Sequence, residues 1–72
     1  MNKTDLTIKF GNRMRELRKA KGLSQEDFAD SCEFDRTYIS GIERGTRNPT
    51  LKALEILANA LDVSIESLFK GL

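Results

Sequence analysis

The 72-residue chain has no histidine and only one cysteine. Without imidazole, a Cys–His nucleophile pair is excluded, as is any metal site that needs a histidine ligand. The lone thiol, Cys32, forms no disulfide within the chain and suits a reducing compartment. Lying four residues after Phe28, it falls on the apolar side of a helix, where a free cysteine behaves as a small buried hydrophobe. No apolar run reaches the length of a bilayer span, and the start MNKTDL lacks the hydrophobic block of a signal peptide. A cytoplasmic protein with no membrane partner is expected. Glycine-rich phosphate loops and carboxylate pairs suited to acid–base work are missing too, so the chain is expected not to be an enzyme. Neither metal nor cofactor is expected.

A large charge of one sign is also lacking. Twelve basic residues stand against 11 acidic ones, a net charge of +1, so the total does not argue for nucleic acid. The distribution says more. Six bases (Lys9, Arg13, Arg15, Arg18, Lys19, Lys21) and one acid (Glu16) lie between Ile8 and Lys21. Five acids (Glu26, Asp27, Asp30, Glu33, Asp35) and no base lie between Ser24 and Asp35, and positive charge returns at Arg36, Arg44 and Arg47. Such segregation suits either two faces with different partners or two solvated helix surfaces.

What is present is a run of short helical signals with no strand signal, repeat or linker. At 39% hydrophobic and 32% charged, the composition fits one globular domain over 1–72, small enough for a partner subunit to help it. Residues 1–5 are expected to be flexible. Phe10, Met14 and Leu17 recur at helical spacing and predict a first helix from about Leu6 to Lys21, ended by Gly22. Ser24 is placed to cap a second helix, with Asp27 at the capping-box position and Phe28, Ala29 and Cys32 inward. After a corner at Glu33-Phe34, Asp35 is expected to cap a third helix by accepting backbone N–H bonds. Ile39 and Ile42 point inward from that helix, which stops at Gly45. A polar loop through Thr46-Arg47-Asn48-Pro49 follows, and Thr50 caps a fourth helix with Leu51, Leu54, Leu57, Ala58 and Leu61 on its apolar side. Ser64 caps a short fifth helix carrying Ile65, Leu68 and Phe69. The expected fold is all-α, a compact five-helix bundle with a helix-turn-helix over about 24–45.

Taken together, Arg18, Gly22-Leu23-Ser24-Gln25, Phe28-Ala29, Ile39-Ser40, Ile42-Glu43-Arg44-Gly45, Pro49 and Leu61 resemble the lambda-repressor and Cro-like helix-turn-helix family. More narrowly, the run from Asp35 to Arg44 followed by Arg47-Asn48 is similar to controller proteins of restriction–modification systems. The resemblance implies a dimeric regulator that binds a palindromic operator in double-stranded DNA. It assigns Arg36, Thr37 and Ser40 to the groove-facing side of the recognition helix and Tyr38 to sugar–phosphate or base contacts. Side-chain chemistry agrees: arginine can donate two parallel bonds to guanine O6 and N7, and threonine offers a hydroxyl and a methyl for thymine.

By the same resemblance Gln25 anchors a phosphate, at a helix start that favours anions. Arg44, Arg47 and Asn48 are further DNA-backbone candidates, and Arg47 is a candidate for a minor groove. Arg18 is expected to pair with Glu43 and tie the first helix to the recognition helix. Gly41 either lets the backbone approach the duplex or answers to packing. Glu33 stands where the family has glycine at a positive-φ corner, which implies strain of about 1 kcal/mol. Leu61, Val63, Ile65 and Phe69, in a dimerisation region over about 61–70, are the candidates for the contact between copies, with at least two of them expected there; the alternative is that they close the core. Glu26 and Asp30 share a face of the second helix and match positions where activating relatives touch the RNA polymerase specificity subunit. Rival assignments are a phage-type repressor, an antitoxin-like autoregulator, or an interaction module without DNA. The end at Leu72 disfavours repressors that need a further domain, and the Arg36-Thr37-Tyr38 start argues against a DNA-free module.

Overall fold

Side-chain caps fix most of the helix starts. In a computed structural model, the described residues, 3–72 with side chains from Leu6 onward, form α1 (Lys3–Ala20), α2 (Gln25–Cys32), α3 (Arg36–Glu43), α4 (Leu51–Leu61) and α5 (Ile65–Leu68). The flexibility expected of residues 1–5 lies outside the described residues, the backbone of α1 from Lys3 apart. The hydroxyls of Ser24, Thr50 and Ser64 each accept a bond of 3.0 Å from the N–H three residues on, at Asp27, Ala53 and Ser67. Each such cap contributes about 1 kcal/mol.

Asp35 departs from expectation. It has the extended backbone of a cap (φ −65°, ψ 142°), yet its carboxylate accepts no capping bond. Its carbonyl takes the first intrahelical bonds, from Tyr38 and Ile39 N–H, at 3.0 and 3.3 Å.

One turn ends four helices. The N–H of Leu23, Phe34, Thr46 and Val63 each bonds the carbonyl five residues back, at 3.2, 2.9, 2.9 and 3.0 Å. In each case the preceding residue is left-handed: Gly22 (φ 73°), Glu33 (60°), Gly45 (79°) and Asp62 (59°). Six-to-one closure of this kind satisfies carbonyls that the helix end would otherwise leave open. Glycine adopts that conformation freely; Glu33 and Asp62 do so at a steric cost.

Phe10, Met14, Phe28, Cys32, Ile39, Ile42, Leu57, Leu61 and Leu68 fill one core. Full burial of a side chain such as Phe28 or Ile42 stabilises by about 1.5–3 kcal/mol. α3 packs against both α1 and α2, α2 against α4, and α4 against α5. The α1–α3 contact is unusually close because Gly11 has no side chain: a Cβ there would lie 2.3 Å from the Ile42 carbonyl oxygen. Arg13 clamps α1 to α5 by donating from Nε and Nη2 to the Ser67 carbonyl, at 3.2 and 2.8 Å.

Candidate nucleic-acid interface

Four of the eight residues of α3 are buried: Ile39, Ile42 and Glu43 on the inner side, and Gly41 on another face, under the Arg47 side chain. Arg36, Thr37 and Arg44 are exposed, and Ser40 is half-buried. At 100° per residue, positions 36, 40, 44 and 37 fall within an arc of about 100° that adjoins the buried one at Glu43. At 1.5 Å per residue the helix is about 12 Å long, a rod that fits lengthwise in the major groove. Four of the side chains named from sequence therefore share one outward face.

Glu43 anchors the rod. Its side chain is 0% exposed, and Arg18, 8% exposed, grips it with two bonds, Nε–Oε2 at 2.6 Å and Nη2–Oε1 at 3.0 Å. Arg18 also donates to the Leu23 carbonyl at 2.7 Å. Burial pushes the Glu43 carboxyl up, but the Arg18 hydrogen bond, then Gln25, the Arg18 charge and Arg15, outweigh it and hold the group below its ordinary value. The Glu43 bond raises Arg18 above its own ordinary value against the opposing pull of burial. Arg15 was not foreseen from sequence. Its Nε lies 3.4 Å from Glu43 Oε1, so two guanidiniums face one carboxylate. Its place three residues before Arg18, one turn along the same helix face, was the signal available.

Gln25 sits between this cluster and the outer stripe. Its Nε2 donates to Glu43 Oε1 at 3.0 Å, and its Oε1 accepts from Arg36 Nη1 at 3.4 Å.

Tyr38 is half-buried, edge-on to Phe34 at 5.0 Å and 80°, and Arg47 lies over its ring at 5.1 Å. Gly41 answers to packing: a Cβ on it would fall 2.4 Å from Arg47 Cγ, so the arginine stem occupies that gap. The Gly41 carbonyl accepts from both the N–H and the hydroxyl of Thr46, at 2.9 and 3.1 Å, which shapes the loop carrying Arg47. Arg44 donates Nε–H to the Ser40 carbonyl at 3.3 Å, and the Thr7 hydroxyl donates to Asn48 Oδ1 at 3.5 Å.

The candidate dimer residues do not share one surface. Leu61 is 2% exposed and belongs to the core, so it is withdrawn from any surface role. Val63 and Phe69 are half-buried, and the Phe69 ring packs on Phe10 at 5.1 Å. Ile65 is 48% exposed and lines a shallow apolar depression with Leu51, which is 85% exposed, and Leu54. Leu51, placed by its spacing on the apolar side of its helix, thus has no core to face. Glu26 and Asp30 are both exposed on α2, one turn apart. Burial pushes the Cys32 thiol up, in keeping with a packing role.

Among the described residues no group of His, Cys, Asp and Glu could hold a metal, and no helix is long and apolar enough to cross a membrane. Residues 14–68 match the helix-turn-helix family. Control protein C.MunI of Mycoplasma sp is 45% identical over 69 residues, covering 94% of this chain and 93% of that one. The controller protein C.AhdI from Aeromonas hydrophila superposes with a TM-score of 0.85 at 52% identity, over 88% of this chain and 96% of that one. C.Esp1396I, solved as a tetramer with its natural 35 base-pair operator, gives 0.82 at 45% identity, over 90% of this chain and 86% of that one. The chain belongs to the helix-turn-helix family, within the restriction–modification controller proteins.

Proposed function

We propose that the protein is a homodimeric transcription regulator that binds a palindromic operator and controls a restriction–modification operon. It acts by binding DNA in the cytoplasm, and not by catalysis. The observation that carries this is the division of α3, with Ile39, Ile42 and Glu43 locked inside and Arg36, Thr37 and Ser40 turned outward. Arg36 reads a guanine, Thr37 and Ser40 read neighbouring base edges, and Tyr38 touches the sugar–phosphate or a base at the flank. Arg44, Arg47 and Asn48 follow α3 and hold the phosphate backbone, which positions the protein without reading sequence.

One such helix covers only a few base pairs. Two copies related by a two-fold axis address half-sites about 34 Å apart, one turn of the duplex. Ile65, with Val63 and Phe69 beside it and the exposed Leu51, supplies the apolar contact between copies. The exposed acids Glu26 and Asp30 on α2 are assigned to the RNA polymerase specificity subunit. Selection of bound sequences from random duplexes tests the proposal. A two-fold symmetric motif with half-sites one turn apart is expected; recovery of unenriched sequence would refute it.

A further inference from the structure

We infer that Arg13 is a positioning residue for the dimer: by holding α5 to α1 it sets the separation of the two recognition helices, and so the half-site spacing that the operator must have. This rests on the function proposed above, which places the contact between copies at Val63, Ile65 and Phe69. α5 has only four residues, too few to hold a direction of their own. Its start is tied to α4, because the Val63 N–H reaches back to the Ala58 carbonyl at 3.0 Å and the Ser64 hydroxyl caps the first turn. Its end is tied to α1. Arg13 donates from Nε and Nη2 to the Ser67 carbonyl at 3.2 and 2.8 Å, and its third nitrogen, Nη1, meets Glu16 Oε1 at 3.1 Å. With all three nitrogens engaged and the side chain only 19% exposed, the guanidinium is not free to turn away.

The same stretch of α1 holds the recognition helix. Phe10 and Arg13 face α5, where Phe10 meets the Phe69 ring at 5.1 Å. Gly11, Arg15 and Arg18, about 140° round the helix, meet the end of α3 at Ile42 and Glu43. Both sets fall between residues 10 and 18, about 12 Å of one helix. α1 is therefore a short rigid bar with the dimer contact on one face and the DNA-reading helix on another. In a two-fold dimer any tilt of α5 against α1 counts twice in the distance and angle between the copies of α3. One base pair of spacing is about 3.4 Å and about 35° of rotation, a change that a loosened α5 absorbs and a clamped one does not.

Arg13→Met keeps the apolar stem and removes all three bonds. Its binding is measured to the selected operator and to versions with one base pair added or removed between the half-sites. Each ratio compares the same dimer on two duplexes, so weaker dimerisation cancels from it. The parent is expected to favour the selected spacing, and Arg13→Met to lose that preference severalfold. Discrimination against single-base changes inside a half-site should stay as in the parent. An unchanged spacing preference would overturn the assignment, as would an equal loss of spacing and base discrimination. If the parent itself accepts every spacing equally, the proposed two-fold dimer fails and not this inference alone. In the unsubstituted protein without DNA, ¹⁵N relaxation at Arg13 Nε supplies a second test, independent of how the variant folds. Restricted motion is expected, and mobility equal to that of a solvated arginine would refute the clamp.

Discussion

Replacing Arg18 by methionine tests the coupling between α1 and the recognition helix. The substitution keeps most of the apolar stem and deletes two bonds to Glu43, at 2.6 and 3.0 Å, and one to the Leu23 carbonyl at 2.7 Å. Removing one partner of a buried ion pair costs about 3–5 kcal/mol, because the other charge stays behind. Here Glu43 keeps the Gln25 bond at 3.0 Å and the more distant Arg15 at 3.4 Å, which places the loss near the lower end, about 3 kcal/mol. A domain of 72 residues has only about 4–11 kcal/mol of total stability. At about 4–8 °C per kcal/mol, the melting temperature should fall by about 12–24 °C. Thermal unfolding followed by circular dichroism at neutral pH reads this directly. A companion variant, Arg18→Met with Glu43→Met, replaces both charges by apolar groups and should recover most of the loss. A fall of less than about 4 °C for the single variant, equivalent to about 1 kcal/mol or less, would refute the buried-pair argument.

Three other outcomes follow from the same structure. Glu33→Gly relieves a left-handed glutamate (φ 60°), and its melting temperature should equal or exceed that of the parent; a lower one would contradict the strain argument. Ser24→Ala and Thr50→Ala should each cost about 1 kcal/mol, whereas Asp35→Ala, which removes no cap bond, should cost clearly less in the same unfolding series. The Glu43 carboxyl lies below its ordinary value in the fold, so its contribution is complete above the unfolded value of about 4.3 and is lost as pH falls through the lower folded value. Stability measured against pH should therefore hold level from neutrality to about 5 and drop below that, and Glu43→Gln should flatten part of the drop.

Much of this was legible in the residues. Ser24, Thr50 and Ser64 announce helix starts because a hydroxyl before an apolar repeat has one local use, and the structure finds all three capping. Asp35 departs from the same rule: it has the extended backbone of a cap, but its carboxylate makes no cap bond. Glu33 was recognised as left-handed only through resemblance, and the equivalent Asp62 escaped notice because aspartate is ordinary at helix ends. The outward stripe of α3 follows from helical period alone. The link from Gln25 to both Glu43 and Arg36 does not, because it joins residues 18 and 11 positions apart through packing that period cannot supply. Leu51 and Leu61 show the same limit from the other side. Both are leucines at the ends of one apolar stripe, yet one is exposed and the other buried.

The central claim is that two copies of α3 lie in successive major grooves, with Arg36 against guanine. Interference by methylation of guanine N7, performed on the selected operator, tests it most directly. Two clusters of interfering guanines one helical turn apart are expected, with one guanine in each losing its effect in Arg36→Ala. Undiminished binding to fully methylated operator, or a single cluster without symmetry, would contradict the account.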